Sequence, residues 1–155
     1  MKDMPKPTDA HRKLEKLVGT WTGEEKLSPS PWDPQGGMAK GRVTNRLAID
    51  GFAVIQDYEQ ERNGKICFYG HGVFRFDAMT NCYESFWFDS MGMPVNHFRG
   101  NFDGDVLSMS YQSPMGHTRC TFDLRERGRY VFRMEVSQDG QSWYQFMEGS
   151  YAKKG

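Results

Sequence analysis

"RVTNRLAIDGFAVIQDYEQERNGK", residues 42–65, alternates polar and apolar residues on both sides of Asp50-Gly51 and ends at Asn63-Gly64. Asp-Gly and Asn-Gly provide the positive φ that tight hairpins need, so the alternation reads as consecutive antiparallel strands. A two-residue turn at Asp50-Gly51 sets Ile49 against Phe52, Leu47 against Val54, Asn45 against Gln56 and Val43 against Tyr58. The opposite face then carries Arg42 and Arg46 against Asp57 and Glu59, which reads as an ion-pair ladder in water. The Leu47/Val54 face is therefore assigned to the interior.

The same punctuation continues at Asp103-Gly104, Met115-Gly116, Arg127-Gly128 and Asp139-Gly140. It divides the chain into about ten strands: 19–27, 40–49, 52–62, 65–76, 81–89, 94–102, 105–112, 117–125, 129–137 and 143–152. Connections this short join only antiparallel neighbours, and a meander of this length loses its edges most simply by closing. The expected fold is all-β, a single domain over residues 1–155 forming a closed up-and-down antiparallel barrel. A short N-terminal helix should cap one end. Thr8 is its expected N-cap, Ala10, Leu14, Leu17 and Val18 form one apolar stripe, and Gly19 stops it. Trp21, two residues later, is expected to close the barrel floor, and residues 1–7 are expected to be flexible. "SPSPWDPQGGMAK", residues 28–40, is either an ordered connection or a flap over the mouth.

Register assigns the inward side chains. A three-residue loop at Arg62-Asn63-Gly64 turns Phe68, Gly70, Gly72, Phe74 and Phe76 inward and leaves Arg75 in water. A two-residue loop would instead enclose Tyr69, His71 and Arg75. Under the first register Tyr83, Ser85 and Trp87 follow inward, with Trp87 over Gly70 or Gly72. The remaining hairpins pair Phe98 with Met109, Asn96 with Tyr111, Met109 with Cys120, Leu107 with Phe122 and Leu124 with Tyr130. They also pair Phe122 with Phe132 and Cys120 with Met134. The last strand presents Trp143, Gln145, Met147, Gly149 and Tyr151 inward, closing against Trp21 and Gly23.

Such a barrel is wider than the eight-stranded case that side chains just fill, so an interior space is expected. Its lining carries almost no charge, with Glu25 the one candidate. The expected ligand-binding set is Asn45, Gln56, Tyr58, Phe74, Tyr83, Trp87, Phe98, Met109, Tyr111, Cys120, Phe132, Met134, Gln145 and Met147. These uncharged rings and amides suit a small, neutral, largely apolar ligand, since a carboxylate would want an internal arginine.

Composition narrows the alternatives. Lys plus Arg and Asp plus Glu number 20 each, so no basic footprint points to nucleic acid or an anionic membrane. The first residues lack an apolar signal region and no stretch is long enough to span a bilayer, so a cytoplasmic protein is expected. Cys67, Cys82 and Cys120 lack metal-ligand spacing, consistent with a reducing compartment. His11, His71, His97 and His117 are expected as separate exposed residues, so no metal site is predicted. Asp57, Glu59, Glu61 and Glu84 fall on the outer face as solvated charges, and Cys120 is an inert buried thiol, so no catalytic residue is expected. Ile66, Phe86 and Phe88 also fall outside, as a homodimer patch unless a bulge turns them in.

Gly19-Thr20-Trp21 after a short helix resembles the G-x-W signature of the calycin superfamily, the lipocalins and fatty-acid-binding proteins. "HRKLEKLVGTWTGE" (11–24), "GHGVFRFDAMTNCYESFWFDSMG" (70–92) and "DGQSWYQFMEGSYAKK" (139–154) together resemble a bacterial family labelled a domain of unknown function. That resemblance implies a calycin-like barrel over nearly the whole chain, with no activity or catalytic residues to carry over. Arg75, before Phe76-Asp77, departs from the small residue that family often has there. Nitrobindin-like haem proteins begin with a similar G-x-W-x-G, matched by Gly19, Trp21 and Gly23, but Glu24-Glu25-Lys26 replaces the glycine-rich continuation. No histidine follows His117, and no haem or other cofactor is expected.

Overall fold

A computed structural model describes residues 3–31 and 33–155. Its N-terminal segment is a single α-turn, α1 (Asp9–Arg12), continued as a 3₁₀ stretch (Lys13–Leu17). The strands are β1 (Gly19–Leu27), β2 (Gly37–Ala48), β3 (Ala53–Arg62), β4 (Lys65–Asp77) and β5 (Cys82–Asp89). Then come β6 (Asn96–Asp103), β7 (Val106–Ser113), β8 (Gly116–Asp123), β9 (Arg129–Ser137) and β10 (Tyr144–Lys153). Each strand pairs with its sequence neighbours, and β1 pairs with β10, so the described residues close a ten-stranded barrel.

The hairpins show how register is set. Between β2 and β3 the expected pairs hold: Leu47 with Val54, Asn45 with Gln56 and Val43 with Tyr58. The Phe52 N–H donates to the Ile49 carbonyl across Asp50-Gly51, but Ile49 takes φ of 53° like Asp50, so strand pairing stops one pair earlier, at Ala48 and Ala53. Val54 is fully buried, whereas Leu47, at the strand's end, is 41% exposed. The expected ion-pair ladder does not form. Arg42 faces Glu59 without an ion pair, and Asp57 pairs with His71 at 2.7 Å.

β3–β4 corrects one expectation and keeps its consequence. Asn63-Gly64 is a two-residue turn with φ of 54° and 76°, flanked by Arg62 and Lys65. Two-residue pairing alone would have enclosed His71 and Arg75. Cys67 instead forms a bulge between the pairs Glu61–Ile66 and Gln60–Phe68, and one extra residue turns the strand over. Phe68, Gly70, Gly72 and Phe74 therefore face inward after all. Trp87 lies flat over Gly70 and Gly72, where a Cβ on Gly70 would sit 2.2 Å from its ring.

At β6–β7 the turn is centred on Gly104-Asp105, pairing Gly100 with Met109 and bringing Phe98 to Tyr111, ring centroids 4.7 Å apart. The expected pairing of Phe98 with Met109 is thus two residues out. A two-residue slide leaves every side chain on its face. β7–β8 and β8–β9 pair as expected, Met109 with Cys120, Phe122 with Phe132 and Cys120 with Met134.

The β10 expectation fails near its start. A bulge at Phe146 lies between the pairs Gln145–Glu135 and Met147–Met134. Gln145 is therefore exposed on the outer wall, its amide 3.5 Å from Glu148. Trp143 likewise stacks outside, with the Arg119 guanidinium 3.9 Å from its ring centroid. Beyond the bulge Met147, Gly149 and Tyr151 are buried, and Gly23 pairs with Tyr151.

The helical segment closes one end of the barrel. Leu14 and Leu17 are buried, the Leu17 carbonyl accepts from Trp21 Nε1 at 2.9 Å, and the Ala10 carbonyl accepts from the Tyr83 hydroxyl at 2.6 Å. Trp21 is thus in the floor, where the sequence places it. His11 is not the exposed histidine expected. It is buried edge-on between Phe52 and Phe76, and its Nδ1 accepts from the N–H of the N-cap residue, Thr8. Burial there lowers its pKa, helped by the nearby Arg12 and Arg75. Residues 1 and 2 of the expected flexible leader lie outside the described residues. Pro7 is held, its carbonyl accepting from Arg12 at 2.9 Å.

Candidate functional site

The two ends of the barrel differ. At the helix end the last inward rings, Phe76 and Phe102, lie beneath His11 and the Lys13 ammonium. At the other end Phe68, Trp87, Asn96, Tyr111, Thr118, Met134 and Val136 are inward in register yet only half-buried. Partial exposure reaches down to Phe132, opposite Phe122 in mid-strand. Phe74, Phe98, Met109 and Cys120, also inward, are buried, and burial raises the Cys120 thiol pKa well above its usual value.

The connection from 28 to 36 arises at this open end, and its described residues are tied down. Asp33 pairs with Arg62 at 2.6 Å, the Gly36 carbonyl accepts from Arg62, and the Pro29 carbonyl accepts from the Tyr144 hydroxyl. The ordered reading of this loop holds for those residues; Trp32 lies outside the described residues.

One acid lies inside. Glu25 is fully buried on the inner face of β1 and accepts from Tyr58 at 2.7 Å, Gln60 at 3.1 Å and the Tyr151 hydroxyl. Gly41 leaves room for it, since a Cβ there would lie 2.2 Å from the carboxylate. Burial raises its pKa against the lowering effect of those hydrogen bonds, favouring the neutral acid. Their own burial, and after it the neighbouring Glu25, pushes the Tyr58 and Tyr151 phenols far above their ordinary range, so both remain donors.

Two inward amides sit lower, on paired positions of β2 and β3. Asn45 is 2% exposed and donates from Nδ2 to the Leu17 carbonyl at 2.8 Å. Gln56, opposite it, is also buried.

The expected ligand-binding residues therefore divide by depth. Trp87, Tyr111, Phe132 and Met134 line the open end, with Met147 buried near them. Tyr58 belongs to the Glu25 cluster, and Asn45, Gln56, Phe74, Phe98, Met109 and Cys120 lie in the buried interior. Tyr83 is committed to the floor through Ala10, and Gln145 is outside. Phe68 and Gln60 join the interior without having been in the expected set. Their alternation with Tyr58 and Gly70 was the available signal.

Outside, Glu84 is on the expected face but is not solvated. It is 6% exposed beneath Arg75, His97 and Arg99, at 3.2, 2.7 and 3.4 Å. His71, His97 and His117 stand on this outer wall, on β4, β6 and β8.

A closed ten-stranded antiparallel meander with a short helix across one end is a calycin-like barrel. The chain belongs to the family described as Protein of unknown function (DUF1579), which matches residues 6–153. Among solved structures it is similar to that of Rv2717c from M. tuberculosis, with 14% identity and a TM-score of 0.72. That similarity covers 96% of this chain and 99% of the other. It is also similar to the S-type phycobiliprotein lyase CPES from Guillardia theta, with 8% identity and a TM-score of 0.63 over the same shares. At these identities the likeness is one of fold. No curated protein matches the chain.

Proposed function

We propose that this protein binds a small, neutral, largely apolar molecule inside the barrel, admitted through the end opposite the helix. The observation that carries this reading is the partial exposure of inward rings from the rim down to Phe132. A ligand there would cover the faces of Trp87, Tyr111, Phe132 and Met134, burying apolar surface at roughly 25 cal/mol per Å². Among the described residues no arginine or lysine is buried in this interior to neutralise an anion, and Glu25 already has its donors. A cytoplasmic location and the absence of a cofactor belong to the same reading. Native mass spectrometry of the purified protein, with solvent extraction of what it carries, tests it. A stoichiometric neutral apolar compound supports the reading; a stoichiometric acidic lipid overturns it.

A second reading, self-association, is favoured by Ile66 and Phe88, 42% and 47% exposed on the outer wall of β4 and β5. Phe86 is partly covered by His97, stacked at 4.5 Å. Size-exclusion chromatography with light scattering tests this, and a monomer at high concentration removes it.

A further inference from the structure

Among the described residues, one buried side-chain polar atom lacks a hydrogen-bond partner, and it is in the barrel interior: Asn45 Oδ1. The amide nitrogen is committed to the Leu17 carbonyl, which orients the group and leaves the oxygen without a donor. Gln56, its cross-strand partner, is 7% exposed, and no hydrogen bond joins its side chain to a described residue. Two adjacent buried amides thus stand side by side without using each other. An orphaned buried acceptor costs about 1–3 kcal/mol, and natural cores rarely keep one without a donor supplied by water or a ligand.

The other inward polar centre cannot take that role as readily. Glu25 already receives Tyr58, Tyr151 and Gln60. The unmet demand is therefore for a donor, at Asn45. The next inward positions in register are Val43, paired with Trp21, and Val54, and they offer no hydrogen-bond donor beyond the indole N–H, itself committed to Leu17.

We infer that the interior takes an amphiphile whose polar end is a neutral hydrogen-bond donor, a hydroxyl or an amide N–H, inserted head first. The donor meets Asn45 Oδ1, Gln56 supplies a second bond beside it, and the apolar remainder runs out past Phe132, Met134 and Trp87. This rests on the ligand-binding reading above and specifies its chemical class.

The test compares 1-octanol with its isomer methyl heptyl ether, which has the same atoms but no donor. Binding is followed by tryptophan fluorescence, since Trp21 and Trp87 both face the interior. The alcohol should bind about tenfold more tightly, the factor one neutral hydrogen bond gained on binding supplies. Asn45→Leu should bring the two within about twofold, and Gln56→Leu should narrow the gap if Asn45→Leu does not fold. Gln145→Leu, on the outer wall, should leave it unchanged. Equal affinities in the unaltered protein overturn the donor inference, leaving Asn45 to a water, while the ligand-binding reading stands. A preference that survives both Asn45→Leu and Gln56→Leu overturns the assignment to these amides. Failure of both compounds to bind overturns the ligand-binding reading and the inference with it.

Discussion

The closed and open ends of this barrel are built from the same kinds of residue but finish them differently. At the floor, polar atoms of aromatic side chains are joined to the helical segment: Trp21 Nε1 to Leu17 and the Tyr83 hydroxyl to Ala10. At the mouth, the Trp87 indole donates at 2.8 Å to Asp89, two residues along its own strand, and the inward Tyr111 and Met134 stay half-buried. The inward rings of one end are therefore bonded to a segment that covers them, whereas at the other the distant bonds, Arg62 to Asp33 and Tyr144 to Pro29, tie down the rim and leave the inner rings uncovered. Stability should concentrate at the first and adaptability at the second.

Trp21→Ala is the most severe test of that contrast. Removing a buried indole that packs edge-on against Tyr130, centroids 4.8 Å apart, should cost about 3–5 kcal/mol. Urea denaturation followed by circular dichroism measures it, and a loss under about 1 kcal/mol would show that the floor is not the stabilising end.

Glu25→Gln probes the boundary between the two regions. Its pKa is raised in the folded protein, so below the unfolded value both states are protonated and stability is greatest. As pH rises through the usual carboxylate range, the unfolded chain ionises first, and stability falls until the folded-state value is passed. Gln cannot ionise. The variant should lose this decline and be the more stable protein at neutral pH, as chemical denaturation across pH would show. An unchanged decline in the variant would assign the pH dependence to other groups.

How much of this was readable beforehand depends on which force set each feature. Turn dipeptides fix register locally, so the β2–β3 pairs and the inward faces of β8 and β9 could be read from Asp50-Gly51 and Arg127-Gly128. Bulges are different. Cys67 and Phe146 are ordinary strand residues, and nothing in their chemistry marks them as extra. One bulge rescued the β4 assignment after the wrong loop length, and the other sent Gln145 outside. The burial of Glu84 and His11 was also hidden, because it arises from partners that only the closed fold assembles. Arg75, Glu84 and Arg99 come from three strands, and His11 meets Phe52 and Phe76 across the floor. Within the candidate site, the inward rings were legible from alternation. Which amide would be left without a donor was not, since that depends on the Leu17 carbonyl reaching Asn45.

Met134→Ala measures the open end. The side chain faces inward opposite Cys120 but is half-buried, so its removal forfeits part of a buried methionine's transfer energy and leaves a space already open on one side. The expected loss is about 1 kcal/mol, well below that at Trp21. A loss matching Trp21→Ala would mean that this end is as tightly packed as the floor.

Met93→Ser should have the smallest effect, and its smallness is informative. Met93 is 62% exposed in the β5–β6 connection, next to Val95 at 56%, on the rim where the inward faces open to solvent. If that connection merely borders the mouth, exchanging an exposed thioether for a hydroxyl changes little in the folded state. Stability should stay within about 0.5 kcal/mol, as for surface substitutions generally. If the connection instead folds over the opening in solution, Met93 is the flexible apolar side chain that would pack onto Trp87 and Tyr111. Serine would then destabilise by more than about 1 kcal/mol and increase hydrogen exchange in β5 and β6. A denaturation curve for this one variant thus distinguishes an end that is open from an end that is covered part of the time.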